Sequence, residues 1–139
     1  IQTLDAIFSG AFRKIVQNNR ELHRQHIDQL ASQVVRQIEQ SYADSDLSPT
    51  RIADSLGMSS AYLGRIFRES TQTSISQYLN QTRIRRAEEL LRETEQPVET
   101  VAGLVGFSNP KYFYVVFKNI TGQTPLQFRK AVHSASEKN

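Results

Sequence analysis

One block of residues occurs twice in this chain, and it limits the fold more than any other feature. Gly57-Met58-Ser59 returns as Gly106-Phe107-Ser108, and Ile66-Phe67-Arg68 returns as Val116-Phe117-Lys118. Thr71 answers to Thr121, Ser74 to Thr124 and Tyr78 to Phe128, with one extra residue between the Ser and the Phe of the second copy. A fixed order of small, capping and apolar positions met twice means that one local architecture is built twice.

The helix signals within each copy say what that architecture is. Apolar residues recur at helical spacing almost throughout, and β-type alternation is missing. Ser48 precedes Pro49, the pairing expected at an N-cap and first helical position, and the helix that follows reaches Leu56 and stops at Gly57. Ser59 is expected to cap a helix running to about Ser70. Ser74 and Gln77 form a capping box for a long helix that ends near Thr94, ahead of Pro97. In the second copy a short helix starts near Val98 and ends at Gly106. Ser108 or Asn109 caps the next, which has Pro110 in its first turn and ends near Gly122. Thr124 and Gln127 form a capping box for a last helix reaching about Val132, and residues 134–139 are expected to be a flexible tail. Upstream, Ile27, Leu30, Ala31, Val34, Val35 and Ile38 share one helical face, and that helix stops at Asp44–Asp46.

Residues 1–26 read as a helical arm. Ile1, Leu4, Phe8, Ala11, Ile15 and Leu22 fall at heptad spacing, with Asn18 at the remaining seam position and a polar run from Gln17 to Glu21. The arm can pair with a second copy or pack on its own domain. The chain opens on Ile1 instead of Met, as expected of a segment of a longer protein.

Each copy is a helix-turn-helix. Two helices that cross steeply need a small residue at the crossing and a residue tolerant of positive φ at the turn. Ala53 and Gly57 supply these in the first unit, Ala102 and Gly106 in the second. Ile52, Leu56, Met58, Leu63 and Ile66 fill the first angle; Val101, Val105, Phe107, Phe113 and Val116 fill the second. The expected fold is therefore all-α: a helical arm (1–26), a first subdomain (27–73), a connector helix (74–95) and a second subdomain (96–133). A connector of about 20 residues is about 30 Å long. Successive major-groove segments on one face of DNA lie about 34 Å apart. Such a rod can hold two helices over adjacent groove segments.

Composition narrows the function classes. Apolar residues make up 38% and the net charge is only +3, which excludes a disordered chain. No apolar run approaches the roughly 20 residues that span a bilayer, so no membrane contact is expected of this segment. Without Cys there is no disulfide, thiol nucleophile or thiolate zinc site. His23 and His26 stand three apart on the arm, but no carboxylates complete a metal site beside them, and no Gly-rich loop offers a phosphate cradle. Neither an enzyme nor a cofactor or metal is expected. The small total charge hides segregation. Residues 55–87 carry Arg65, Arg68, Arg83, Arg85 and Arg86 against Glu69 alone. Residues 100–136 carry Lys111, Lys118, Arg129 and Lys130 with no acid, and Glu88 to Glu99 form an acidic block between them. Two basic surfaces suit a polyanion.

These motifs resemble the DNA-binding domain of AraC/XylS-type bacterial transcription regulators. The first unit, Ile52-Ala53-x-x-Leu56-Gly57-Met58-Ser59 with Tyr62-Leu63-Gly64-Arg65-Ile66-Phe67-Arg68, resembles the family's first helix-turn-helix. Val101-Ala102-x-x-Val105-Gly106-Phe107-Ser108 with Tyr112-Phe113-x-x-Val116-Phe117-Lys118 resembles the second. Thr121-Gly122-x-Thr124-Pro125 and Phe128-Arg129 are similar to its C-terminal motif. The resemblance runs from about Ile27 to Val132. It implies seven helices in two subdomains and sequence-specific binding of double-stranded DNA, usually to activate transcription. It also implies RNA polymerase as a partner, a cytoplasmic location, and an effector or signalling region elsewhere in the protein. Homodimerisation is expected through the arm or through such a region.

By position, the resemblance assigns base reading to Ser60, Ala61, Gly64 and Arg65 in the first unit and to Asn109, Pro110, Lys111, Tyr114 and Val115 in the second. Arg65 is the best reader, since a guanidinium pairs bidentately with guanine O6 and N7. Tyr62 is expected to pack. Phosphate contacts are expected from Ser59, Arg68, Ser76, Arg83, Lys118 and Thr124, by side chain or helix N-terminus. Ser74 and Thr124 also suffice as plain caps, and Arg83, Arg85 and Arg86 point in different directions around the connector. The chain departs from the family at Tyr114 and Val115, where a small polar residue and Arg are common. It departs again at Gln72, where Gly is usual, and at Gly103 within a helix. The competing class is a helical protein-interaction module whose basic faces bind acidic partners.

Overall fold

The structure, a computed structural model, describes the backbone of residues 2–137 and the side chains from Gly10 onward. Among these residues seven helices follow one another: α1 (Gln2–Ser41), α2 (Pro49–Ser55), α3 (Ser60–Thr71), α4 (Ile75–Glu93), α5 (Val98–Leu104), α6 (Pro110–Thr121) and α7 (Pro125–Glu137). There is no strand among the described residues. The expected all-α architecture is the observed one.

Two elements differ from expectation. The arm and the first domain helix are one unbroken helix of 40 residues, about 60 Å long. The polar run from Gln17 to Glu21 interrupts the apolar stripe but contains no Gly or Pro, and Gln, Arg and Glu are good helix formers. At the other end α7 continues to Glu137 instead of fraying after Val132. Ala131, Ala135 and Glu137 propagate a helix already fixed at its start by the Thr124–Gln127 capping box.

The helix starts follow from their caps. Ser48 Oγ accepts from the Arg51 N–H, Ser59 Oγ from Tyr62 N–H, and Ser74 forms the complete capping box with Gln77. Of the two candidates for α6, Asn109 is the cap, accepting from Lys111 N–H. The sequence repeat is also a repeat of hydrogen bonds. Met58 N–H reaches Ala53 O at 3.0 Å, and Phe107 N–H reaches Ala102 O at 2.9 Å. Thr71 Oγ donates to Phe67 O at 2.8 Å, and Thr121 Oγ donates to Phe117 O at the same distance. Gln72 adopts a left-handed conformation (φ 60°) where the second copy has Gly122.

Among the described residues two large cores form, with a smaller cluster of Ile27, Leu30 and Ile66 beside the first, and α4 belongs to both large ones. Its N-terminal half sends Ile75 and Leu79 into a cluster with Val34, Ile38, Ile52, Leu63 and Phe67. Its C-terminal half sends Ile84, Ala87 and Leu91 into a cluster with Val101, Phe113 and Phe117. Phe67, Phe117, Tyr78 and Phe128 lie in or against these cores as expected, with edge-on pairs Phe67–Tyr78 and Phe117–Phe128.

Arg83, in the middle of α4, corrects the sequence reading. It was expected at a phosphate, but it is buried, 6% exposed. Its Nε donates to Tyr42 O at 2.8 Å and its Nη2 to Asp44 O at 2.9 Å, while its guanidinium lies 5.6 Å from the Phe107 ring. Burial pushes its pKa down, opposed by the Asp44 carboxylate; an Arg keeps its proton under these conditions. The α1–α2 loop presents the Tyr42 carbonyl and the Asp44 carbonyl, the latter also accepting from Leu47 N–H, and a long planar donor reaches both. Gly106 completes the contact. At φ +104° a Cβ there would overlap the Tyr42 carbonyl oxygen and come within 2.7 Å of Arg83 Nε.

Replacing Arg83 by Met is expected to cost about 1–3 kcal/mol in urea unfolding, because two part-buried carbonyls lose a charged donor each. Gly57→Ala, strained only in its backbone at φ +69° with open space around it, is expected to cost about 1–2 kcal/mol. Gly106→Ala adds steric overlap to the same strain. It is expected to exceed Gly57→Ala by at least about 2 kcal/mol in the same measurement.

Candidate nucleic-acid interface

In each unit the second helix buries one face and exposes the other. In α3, Leu63, Ile66 and Phe67 are buried, while Ser60, Ala61, Arg65 and Arg68 are exposed and Gly64 is half-covered. In α6, Phe113, Val116 and Phe117 are buried, while Asn109 at the cap, Pro110, Lys111, Val115 and Lys118 are exposed. The three-four spacing of the apolar residues forces this, since residues between them point outward. The structure therefore gathers Ser60, Ala61, Gly64 and Arg65 on one α3 face, and Pro110, Lys111 and Val115 on one α6 face.

Arg65 does not hang free. Its guanidinium lies 5.5 Å from the Tyr62 ring centroid. Tyr62 is 40% exposed, so the packing expected of it is against Arg65 more than against the core. An aromatic face under a guanidinium restricts its rotamers and leaves its edge donors open.

Tyr114 differs from the other α6 positions. It is half-buried, leans on the second core and meets Phe113 edge-on at 6.2 Å. Val115, by contrast, is 57% exposed. The outward face of α6 thus offers an aliphatic surface between two lysines, with no guanidinium. The Asn109 carboxamide oxygen is engaged by Lys111 N–H.

The positions expected at phosphates divide. Ser59, Arg68, Ser76 and Lys118 are exposed. Thr124 is half-buried and its hydroxyl accepts from Gln127 N–H, so it serves as a cap. Arg83 faces inward, as described. Of its neighbours, Arg85 is exposed and Arg86 pairs with Glu89, whose hydrogen bond raises the Arg86 pKa. Arg129 is half-buried as well: it donates to Leu91 O and Thr94 O, closing the C-terminal turn of α4. Two of the cations that made the segments look basic are therefore structural.

A cleft of about 340 Å³ flanks α6. Gln77, Asn80 and Gln81 line it from α4; Tyr112, Val115 and Asn119 line it from α6, and Asn80 Nδ2 donates to the Tyr112 hydroxyl at 3.3 Å. Sequence reasoning passed over these amides. Their signal was the i, i+3, i+4 spacing of Gln77, Asn80 and Gln81, which makes one polar stripe on the first half of α4. Among the described residues, no cluster of His, Asp and Glu is arranged to hold a metal, and no helix is long and apolar enough to cross a membrane.

Comparison with known proteins agrees with this arrangement. Residues 52–131 match the family model of a helix-turn-helix domain. The chain is 37% identical over 100 residues to the Msm operon regulatory protein of Streptococcus mutans, covering 72% of this chain and 36% of that protein. It is 32% identical over 117 residues to the arabinose operon regulatory protein of Escherichia coli, covering 84% of this chain and 40% of that one. The chain thus spans 36–40% of the length of these two relatives. Among solved structures, the DNA-binding domain of AdpA, a global transcriptional factor in complex with a target DNA, superposes with a TM-score of 0.72. The identity is 25%, and the match covers 78% of this chain and 97% of that one.

Proposed function

The chain belongs to the AraC-type helix-turn-helix family, and from that premise we propose that it is the DNA-reading output domain of a bacterial transcription regulator. It binds double-stranded DNA with α3 and α6 in successive major-groove segments. The observation that carries this reading is the paired exposure of α3 and α6. Each presents its N-terminal half outward while its other face is locked into a core shared with α4.

The two halves work by different physics. In the first, Arg65 reads guanine from its platform on Tyr62, with Ser60, Ala61 and Gly64 allowing close approach. In the second, Lys111 and Lys118 anchor the backbone while Pro110 and Val115 meet thymine methyls, and sequence preference draws on groove shape. Asn109 supplies the cap of that helix and a free amide. Tyr114 contributes its rim alone. Ser59, Arg68 and Ser76 hold phosphates, and Gln81 and Asn119 extend that contact across the cleft beside α6. The protein acts in the cytoplasm as an activator that engages RNA polymerase. Support for this comes from the family's usual role and from relatives that are operon regulators.

A salt titration on selected and unrelated DNA tests the reading. Affinity for selected DNA is expected to fall with a log–log slope of about −4 to −7, as 4 to 8 phosphates are neutralised, roughly, at about 0.9 per phosphate. Equal affinity for all sequences, or binding to acidic proteins instead of DNA, assigns the chain to the interaction-module class. Arg65→Ala is expected to cost about 1–3 kcal/mol and to relax preference at one position in one half-site, read by a panel of base substitutions. A loss spread evenly over all sequences moves Arg65 to a phosphate.

A further inference from the structure

Helix α1 buries one face in the domain and carries the same face beyond it. Ala31, Val35 and Ile38 pack on the first core, and Ile27 and Leu30 rest on Ile66 of α3. About 18 residues make five full helical turns. Arg13, Gln17 and Arg20 therefore stand in line with Ala31, Val35 and Ile38, and Arg24 falls between Arg13 and Gln17 around the helix. All four are exposed. Beyond Ile27 the core-facing stripe thus becomes a cationic one. Residues 10–26 carry Arg13, Lys14, Arg20 and Arg24 against Glu21 alone. Among the described residues the ion pairs engage Arg51 and Arg86, and none engages the arginines of the stripe. Glu69 does share a notch of about 460 Å³ with Arg20, Arg24 and Ser70, between the arm and the end of α3.

We propose that this stripe is a further DNA contact, which seats the arm on the phosphate backbone of the flank beyond the α3 half-site. The contact deepens the proposed DNA reading and rests on it. Charge complementarity calls for a polyanion, and direction selects the flank. Just past its C-terminal end α1 meets the second unit, where Tyr42 O accepts from Arg83 and lies against Gly106. Toward its N-terminus α1 passes the far end of α3, where Asp28 accepts from the Ser70 hydroxyl at 2.7 Å. The arm therefore runs outward, away from α6, over DNA that neither recognition helix covers.

Height agrees with direction. Helix α3 turns Leu63, Ile66 and Phe67 toward the core and presents Ser60, Ala61, Arg65 and Arg68 to the other side. Past Thr71, where α3 ends, the stripe on α1 looks toward the duplex directly. Packed helices lie about 8–10 Å apart, and a major groove is about 8.5 Å deep. With α3 in the groove, the stripe stands just above the phosphate ridge, within the span of an arginine side chain. From Ile27 to Arg13 the arm advances about 21 Å, hence about six base pairs. A guanidinium can hold a phosphate bidentately, and here three of them follow one another along that path.

The chain has no cysteine, so one introduced thiol can carry an iron chelate that cuts nearby DNA. The chelate on Ser60→Cys marks the α3 half of a site selected from random DNA. On Gln17→Cys it is expected to cut in the flank outside that half. Cutting elsewhere, or none, overturns the contact. Extending the duplex at the α3 end by about ten base pairs, one helical turn, is expected to raise affinity about tenfold at low salt. The log–log salt slope is expected to steepen by about 2–3, at about 0.9 per phosphate. The same extension at the α6 end is expected to change affinity by less than about twofold. Equal gains at the two ends overturn the proposal. Arg13→Gln, Arg20→Gln and Arg24→Gln together are expected to remove the gain with unchanged helical circular dichroism. Lys14→Gln, about 100° around the helix from Arg13, is expected to keep it. A gain that survives the triple variant overturns the stripe's role. Selective binding that ignores the flank overturns the arm contact and leaves the DNA reading standing. No selective binding on any duplex overturns both.

Discussion

The geometry of this domain turns on the Arg83 guanidinium. It leaves the connector helix at its midpoint, where the two cores change over, and binds carbonyls of the loop between α1 and α2. It also lies against Phe107, in the turn of the second unit. One side chain therefore touches the first subdomain's loop, the shared helix and the second subdomain's turn. Gly106 is held by the same contact, which leaves no room for a Cβ. A connector attached only at its two ends would let the recognition helices swing. The buried cation, which cannot shed its proton, removes that freedom at the cost of desolvation.

Because α4 supplies side chains to both cores, the two units are not independent folding bodies. Removing Ile84, Ala87 and Leu91 from the second core, or Ile75 and Leu79 from the first, would leave each with an open side. Arg129 adds a tie from α7 to the last carbonyls of α4. The spacing of the two reading faces is thus set by the interior of the protein.

Much of this was legible in the sequence because it is local. Ser48, Ser59, Ser74 and Thr124 announce helix starts by a hydroxyl three residues ahead of an amide, and the structure uses each in that way. Gly57 and Gly106 mark turns, and the apolar spacing tells which face of α3 and α6 is covered. What could not be read depends on contacts distant in sequence. Arg83 and Tyr42 are 41 residues apart, so nothing local separated Arg83 from the exposed Arg85. The same holds for Arg129, whose acceptors lie 38 and 35 residues away. Polarity also misled at Gln17 to Glu21: a stripe can end where its helix does not.

The choice of caps has an electrical meaning. Neutral residues, Ser59 and Asn109, open the two reading helices, and neither helix has an acid in its first turn. The same is true of α4 and α7. A helix N-terminus carries a partial charge of about +0.5, which an Asp cap or an early Glu would cancel. Here it stays uncancelled at each helix that begins beside an expected phosphate. The formal +3 is for that reason a poor measure of the field a polyanion would meet. Part of the positive potential resides in peptide groups, has no pKa, and cannot be removed by changing a lysine or an arginine.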